Sequence, residues 1–132
     1  KFSINNNIVI RGKIDRIDET ENGTSVIDYK TSKTPSSAKK NIQLAVYCLY
    51  LSQAVEEKIK GIPFSSSLYF LRDTEEPLST HSFSDDELNI TKNIILDIAE
   101  KIRNNLFEPE KGYHCNWCDY KHLLCPKWET KV

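Results

Sequence analysis

The spacing of apolar and polar residues predicts a β-hairpin near the start of the chain. Residues 8–18 alternate with a period of two, as expected for a strand with one buried face. The apolar residues that share this face are Ile8, Ile10 and Ile14. Residues 25–31 are the predicted partner strand. Asn22-Gly23 lies between the two segments and favours a tight turn, because both residues tolerate a positive φ.

Helical spacing begins after Thr34-Pro35-Ser36-Ser37, a polar break that is typical of a helix start. A helix is predicted from residue 38 to about residue 55, with Ile42, Ala45, Val46 and Leu49 forming its apolar stripe. Gly61-Ile62-Pro63 ends this region. Two more strands are predicted at residues 66–72 and 78–83, separated by a turn at Glu75-Glu76-Pro77.

A second helix is predicted after Ser84. Ser84 and Glu87 form a capping box, in which each side chain bonds the backbone N–H of the other residue. The apolar face that follows is made of Leu88, Thr91, Ile95, Ile98 and Ile102. The helix is expected to end near Asn104-Asn105. The element order β-β-α-β-β-α predicts an α/β fold with a mixed central sheet flanked by helices.

The hairpin carries the most informative polar residues. With Asn22 and Gly23 as the central turn residues, counting back along the strands pairs Asp15 with Lys30. Asp28 is then a diagonal neighbour of Asp15 on the same face of the sheet. Two carboxylates in this arrangement can share a divalent metal beside a lysine. An ordinary surface ion pair between Asp15 and Lys30 is the alternative interpretation.

Two polar residues on the first predicted helix add to this hypothesis. Gln43 and Tyr47 are four residues apart and therefore share one helix face, distinct from the apolar stripe. They could line a groove beside the carboxylates. Taken alone, they fit equally well a surface glutamine and a tyrosine at the edge of the core.

Composition limits the class of protein. The 132 residues, with a mass of 15.3 kDa, predict one globular domain over residues 1–132, with no apolar run long enough to span a bilayer. The chain begins with Lys1 and contains no Met, so we expect a fragment of a longer protein. A net charge of −1 is not that of a free-standing DNA binder. If DNA is the substrate, other domains or a partner are expected to supply much of the affinity.

The C-terminal segment, residues 107–132, is a predicted loop-like tail that carries three cysteines. Cys115 and Cys118 form a C-x-x-C pair, and Cys125 follows. Without secretory features, such spacing favours metal binding over disulfides and an intracellular, cytoplasmic location. Three thiolates make an incomplete zinc site or an incomplete iron–sulfur site, and His114 or His122 could complete the zinc site. The fourth cysteine, Cys48, is predicted to be a buried core thiol.

Together these motifs resemble the PD-(D/E)XK nuclease superfamily, in its RecB-like branch. The matching segments are Gly12-Lys13-Ile14-Asp15-Arg16-Ile17-Asp18, Val26-Ile27-Asp28-Tyr29-Lys30-Thr31 and Gln43-Leu44-Ala45-Val46-Tyr47. The tail cysteines resemble the iron–sulfur version of that branch. Two parts of the branch's pattern have no match here: an upstream acidic residue or histidine, and an upstream fourth cluster cysteine. The resemblance implies a restriction-endonuclease-like fold, with a mixed sheet flanked by helices and a cysteine-bearing tail.

The resemblance also implies a role for each matching residue. Asp15, Asp28 and the backbone carbonyl of Tyr29 would bind Mg²⁺ or Mn²⁺, and Lys30 would activate water and stabilise developing charge. Gln43 and Tyr47 would contact DNA and order the active site. The tail residues implied as ligands of a 4Fe–4S cluster, or alternatively of Zn²⁺, are Cys115, Cys118 and Cys125.

Three functions fit these observations. The first is a metal-dependent nuclease, expected to be an exonuclease on single-stranded DNA that works with a helicase domain or subunit in recombination and repair. The second is a non-catalytic nuclease-fold domain that binds DNA or braces a partner. The third is a small zinc-binding interaction module in which the hairpin carboxylates are surface charges.

Overall fold

The computed structural model describes residues 1–5, 7–54, 61–63 and 65–128. The chain divides into two compact units, Lys1–Asp97 and Ile98–Val132. The strands are β1 (Phe2–Asn5), β2 (Ile8–Ile10), β3 (Arg16–Thr20), β4 (Gly23–Lys30), β5 (Ser65–Phe70) and β6 (Leu78–His81), and the helices are α1 (Ile42–Ser52) and α2 (Asp85–Arg103). Within these ranges, no helix is long and apolar enough to cross a membrane.

The central sheet has four strands in the order β3-β4-β5-β6. The inner pair, β4 and β5, is parallel, and both outer pairs are antiparallel. Helix α1 lies in the connection between the two parallel strands, since a parallel pair requires a crossover. The expected mixed sheet with helices is confirmed. Strands β1 and β2 form a separate two-stranded sheet, and β1 was not predicted from the sequence.

The strand predicted over residues 8–18 is two strands instead of one. β2 ends at Ile10 and pairs with β1, whereas β3 begins at Arg16 and pairs with β4. The intervening loop, residues 11–15, contains Gly12 and carries Asp15. Period-two alternation cannot detect this break, because the isoleucines on both sides contact the same core cluster.

The register of the β3–β4 hairpin also differs from the prediction. Thr20 pairs with Gly23, so the turn residues are Glu21 and Asn22 rather than Asn22 and Gly23. Gly23 adopts a φ of 116°, which a side chain would disfavour, and its carbonyl accepts a 2.6 Å hydrogen bond from the Thr20 hydroxyl. The register is shifted by two residues, so the predicted Asp15–Lys30 pairing is wrong. A two-residue shift preserves which side chains share a face.

The core of the first unit lies between one face of the sheet and helix α1. From β4 and β5, Val26, Leu68 and Phe70 are at most 1 % exposed. Helix α1 buries Leu44, Ala45, Tyr47, Cys48, Leu49 and Leu51. The predicted stripe was partly wrong, since Ile42 is 51 % exposed at the start of the helix. The predicted burial of Cys48 is confirmed.

Both helices begin at polar caps. In α1, the Asn41 side chain accepts a 2.9 Å hydrogen bond from Leu44 N–H, and a short 3-10 turn, Ala38–Lys40, precedes it. The end predicted near residue 55 lies outside the described residues. In α2, Ser84 N–H donates to Glu87 Oε2 at 2.9 Å, and Glu87 N–H donates to Ser84 Oγ at 3.3 Å. The predicted capping box is confirmed.

Helix α2 runs to Arg103, close to the predicted end, and Asn105 follows with a φ of 54°. Its predicted apolar face is buried only in the first half of the helix. Leu88 and Thr91 are buried, whereas Ile98 and Ile102 are 46 % and 54 % exposed.

The second unit is held by local contacts within the tail. A 3-10 turn, Tyr113–Trp117, is followed by a series of turns, and the Tyr113 and Trp117 rings meet edge to face. The Trp128 ring lies under the ammonium groups of Lys111 and Lys121. Several large apolar side chains of this unit are exposed, including Phe107, Tyr120, Leu123 and Leu124.

Candidate active site

Asp28 and Lys30 lie at the end of the central strand β4, on the face that packs against α1. Asp28 is 2 % exposed, and the Lys30 ammonium nitrogen lies 2.6 Å from Asp28 Oδ2. This approach does not satisfy hydrogen-bond angles, and Oδ2 has no hydrogen-bond partner among the described residues. The lysine therefore compensates the charge of Oδ2, and the carboxylate keeps lone pairs that can accept a further ligand.

Asp15 approaches the same end of β4 from the loop that precedes β3. Its Oδ2 accepts a 3.0 Å hydrogen bond from Tyr29 N–H, which belongs to the peptide unit that joins Asp28 to Tyr29. In an extended strand, the N–H and C=O of one residue point to the same edge. The Tyr29 carbonyl is therefore on the edge of β4 that faces Asp15. Asp15 reaches the site through this contact and not through a ladder pairing with Lys30.

A chain of hydrogen bonds connects Lys30 to helix α1 and to the loop that carries Asp15. The Lys30 ammonium donates to Gln43 Oε1 at 2.8 Å, and Gln43 Nε2 donates to the Tyr47 hydroxyl at 2.7 Å. The Tyr47 hydroxyl donates to the Lys13 carbonyl at 2.7 Å. The shared helix face predicted for Gln43 and Tyr47 is therefore directed at the candidate site. Tyr47 is 7 % exposed, so its hydroxyl is held in place by packing.

The opposite face of β4 carries residues that the sequence reasoning did not single out. The Arg16 guanidinium bonds Asp18 at 2.8 Å and the Tyr29 hydroxyl at 3.3 Å, and these contacts raise the pKa of Arg16. The Tyr29 ring in turn meets the Tyr69 ring edge to face. Cross-strand pairing in the true register, Arg16 with Ile27, would have placed Arg16 beside Tyr29.

The residues at the end of β4 fit a divalent ion such as Mg²⁺ or Mn²⁺. Carboxylate and carbonyl oxygens are the donors that these ions prefer, and Oδ2 of Asp28 lacks a hydrogen bond. The set is two carboxylates and one carbonyl. Among the described residues, no three His, Cys, Asp or Glu side chains lie close enough together to hold a metal ion. The carbonyl of Tyr29 is therefore needed for a third protein ligand.

The tail cysteines do not present a ready metal site. Cys115, Cys118 and Cys125 are half-buried free thiols, and the described part of the chain gathers them neither with one another nor with histidines into a metal-binding group. Cys115 Sγ accepts a 3.4 Å hydrogen bond from Gly112 N–H. His114 contacts the Glu110 carbonyl, and the His122 ring packs against Trp128. These residues do not fit a preformed iron–sulfur or zinc cage.

Comparison with known proteins identifies the family. The model of the PD-(D/E)XK nuclease superfamily matches residues 1–126, which include the hairpin, helix α1 and the tail cysteines. No curated protein and no solved structure matches the chain. Because this match covers nearly the whole sequence, and the expected carboxylates and lysine meet at the end of β4, the chain belongs to the PD-(D/E)XK nuclease superfamily.

Proposed function

We propose that this protein is a metal-dependent deoxyribonuclease that hydrolyses phosphodiester bonds at the end of β4. The observation that carries the proposal is the buried Asp28 carboxylate, with the Lys30 ammonium 2.6 Å from Oδ2 and that oxygen still without a hydrogen bond. Membership of a nuclease superfamily supports the same reaction class.

In the proposed mechanism, Asp15, Asp28 and the Tyr29 carbonyl hold Mg²⁺ or Mn²⁺. The chemistry that such an ion supplies is polarisation of a phosphoryl oxygen and a lower pKa for bound water. Asp28 provides a fixed, desolvated carboxylate, since it is 2 % exposed. Asp15 is exposed and is oriented by its bond to Tyr29 N–H. The two carboxylates therefore differ in rigidity and in access to solvent.

Lys30 places a positive charge where negative charge develops on the phosphate. Its ammonium has three donors, of which one is engaged by Gln43 Oε1. A remaining donor can face a phosphoryl oxygen or the attacking water. A charge fixed in advance in a partly buried site stabilises the transition state more than a mobile surface charge does. Gln43 and Tyr47 are positioning residues, because they hold Lys30 and the loop of Asp15 in one arrangement.

We further propose single-stranded DNA as the substrate, digested from an end, with a helicase domain or subunit as partner in recombination and repair. The net charge of −1 supports a need for such a partner, since phosphate binding requires a basic surface. The hypothesis that Cys115, Cys118 and Cys125 bind a 4Fe–4S cluster or Zn²⁺ stays a prediction. It is tested by metal analysis and visible absorption of the purified full-length protein.

The test is Mn²⁺-dependent cleavage of end-labelled single-stranded DNA by the full-length protein, beside Asp28→Asn and Lys30→Ala. Asp18→Asn is the matched control, because Asp18 is a carboxylate of the same hairpin that pairs with Arg16 at the surface. We expect no cleavage by Asp28→Asn and activity like the parent's for Asp18→Asn. Lys30→Ala should still bind Mn²⁺ but cleave more slowly. Circular single-stranded DNA should not be cleaved if digestion starts from an end.

The outcomes separate the remaining functions. Equal cleavage by the parent and Asp28→Asn would refute the assignment of the active site. DNA binding without cleavage, in a folded protein with Mn²⁺ present, would instead support a non-catalytic nuclease-fold domain.

A further inference from the structure

An open groove of about 530 Å³ lies beside the candidate active site, within the first unit. The β1–β2 sheet, the loop at residues 11–14 and helix α1 form its walls. The residues that define its chemistry are Phe2, Arg11, Gly12, Gln43, Tyr47 and Tyr50. We call it the nucleotide groove below. Its volume is within the range of about 300–1,000 Å³ that small-ligand sites occupy.

One wall of the groove is apolar and aromatic. The Phe2 and Tyr50 rings lie 5.6 Å apart between centroids, at an interplanar angle of 54°. Ile14 and Val46 also line the groove and are only partly buried. This wall leaves apolar surface open to water beside polar groups. Such a combination is typical of a site for a ligand that has one flat apolar part.

The groove also carries a positive charge, because Arg11 lines it and is exposed to solvent. Among the described residues, its guanidinium makes no hydrogen bond or ion pair. None of the described residues that line the groove is acidic. The groove therefore complements a ligand that joins a flat apolar ring to an anionic group. An unpaired nucleotide has this combination, with a base that stacks on aromatic rings and a phosphate that binds arginine.

The groove adjoins the hydrogen-bond chain that leads to Lys30. Gln43 and Tyr47 line it, and the same two side chains form the hydrogen-bond chain from Lys30 to the Lys13 carbonyl. A DNA strand whose scissile phosphate lies at Asp28 and Lys30 therefore has the groove as a neighbouring space. Gly12 lines the groove beside the Tyr47 ring, where a Cβ atom would lie 3.5 Å from the ring, so a larger side chain there would take up groove space.

We propose that the nucleotide groove holds one unpaired nucleotide next to the bond that is cut, with its base against Phe2 and Tyr50 and its phosphate at Arg11. This inference rests on the proposed nuclease function. It adds a physical reason for single-stranded substrates, because a base must leave the duplex to enter the groove. Stacking of this kind tolerates all four bases, so no sequence preference is expected from it.

The experiment combines protein variants with DNA that lacks one base. Full-length parent, Tyr50→Leu and Arg11→Gln are compared on single-stranded oligonucleotides with an abasic site scanned across the main cleavage position. Binding is measured by fluorescence anisotropy in EDTA, and kcat/KM is measured with Mn²⁺. Tyr69→Leu is the matched control, since Tyr69 is equally half-buried but lies on the other face of the sheet with Tyr29. Gly12→Leu is added to narrow the groove without removing a contact.

We expect Tyr50→Leu to weaken binding of intact DNA at least about 5-fold, as loss of one base–aromatic stack does. When the abasic site is at one particular position, the parent should bind the DNA similarly weakly. On that DNA, Tyr50→Leu should weaken binding little further. Arg11→Gln should lower the slope of log Kobs against log [salt] by about 0.7, the value for one phosphate of a single strand. Gly12→Leu should weaken binding, and Tyr69→Leu should not.

Equal weakening of intact and abasic DNA by Tyr50→Leu at every position would overturn the proposal, because it would indicate a structural role. Unchanged binding in Tyr50→Leu, Arg11→Gln and Gly12→Leu would also overturn it, because the groove would then not contribute to DNA binding. Failure of the proposed nuclease function would be seen separately. In that case the parent would not cleave DNA, or its cleavage would not require Asp28. The anisotropy data do not depend on cleavage.

Discussion

Replacing Lys30 by Met should reveal an uncompensated charge at Asp28. Asp28 is 2 % exposed, and the Lys30 ammonium is the cation beside it. Removing one partner of a buried ion pair costs roughly 3–5 kcal/mol, because the remaining charge is desolvated and unpaired. The Lys30 side chain is 27 % exposed, so some water can reach the site. We therefore expect a loss of about 3 kcal/mol in the free energy of unfolding without metal.

The double variant Asp28→Asn/Lys30→Met separates this cause from lost packing. It removes both charges, so it should be more stable than Lys30→Met alone, although it carries one more substitution. Lys33→Met is the matched control at an exposed lysine, with an expected change within about 0.5 kcal/mol. Divalent metal should stabilise Lys30→Met by about 2.7 kcal/mol at a concentration 100 times Kd, and should leave the double variant unchanged.

The assay is urea and thermal unfolding of the 132-residue chain in EDTA and in Mg²⁺. A loss of about 3 kcal/mol corresponds to a decrease in Tm on the order of 10 °C for a domain of this size. The reasoning is refuted if Lys30→Met is as stable as Lys33→Met. It is equally refuted if the double variant is less stable than Lys30→Met, since the Asp28 charge would then not be the source of the loss.

Three other predictions follow from single contacts. Tyr47→Phe removes the hydroxyl that bonds Gln43 and the Lys13 carbonyl, so cleavage should slow with Mn²⁺ binding largely kept, as measured by kcat and metal titration. The hydrogen bond from Ser84 N–H lowers the pKa of Glu87 in the folded protein. The stabilisation by this bond should be complete above the pKa of Glu87 in the unfolded chain and should be lost as pH falls through its pKa in the folded protein. The Tm of Glu87→Gln should therefore decrease less in acid than the Tm of the parent does. Burial raises the pKa of Cys48 to about 11, so a thiol titration of the metal-free chain should find three reactive cysteines, and the fourth only after denaturation.

Much of the fold and candidate site could be predicted because the relevant signals are local. The capping box at Ser84 and Glu87 and the shared face of Gln43 and Tyr47 each depend on residues three or four positions apart. The hairpin was correctly predicted from Asn22-Gly23, but the register predicted from it was wrong by two residues. Both residues of the dipeptide tolerate a positive φ, so the sequence does not say which of them lies inside the turn. In the structure, Gly23 has a positive φ and is the first paired residue after the turn.

The parts that could not be predicted depend on contacts between distant segments. Strand β1 exists because it pairs with β2, and the break before β3 exists because the two neighbouring strands belong to different sheets. The loop that carries Asp15 is fixed by Tyr47, a residue 34 positions away from Lys13. Periodicity also overstated the apolar face of α2, since Ile98 and Ile102 are exposed in the structure.

The hydrogen-bond chain from the Lys13 carbonyl to Lys30 has a consequence for folding. Every residue of the candidate active site lies in one continuous segment, residues 13–47, made of the β3–β4 hairpin and the first part of α1. Its hydrogen bonds close a span of 34 residues between Lys13 and Tyr47, whereas β5, the parallel partner of β4, comes later in the chain. A ribosome that has released the chain as far as Tyr47 would already have supplied all the groups proposed for catalysis. The later strand β5 would then complete the sheet that holds this segment in its folded arrangement.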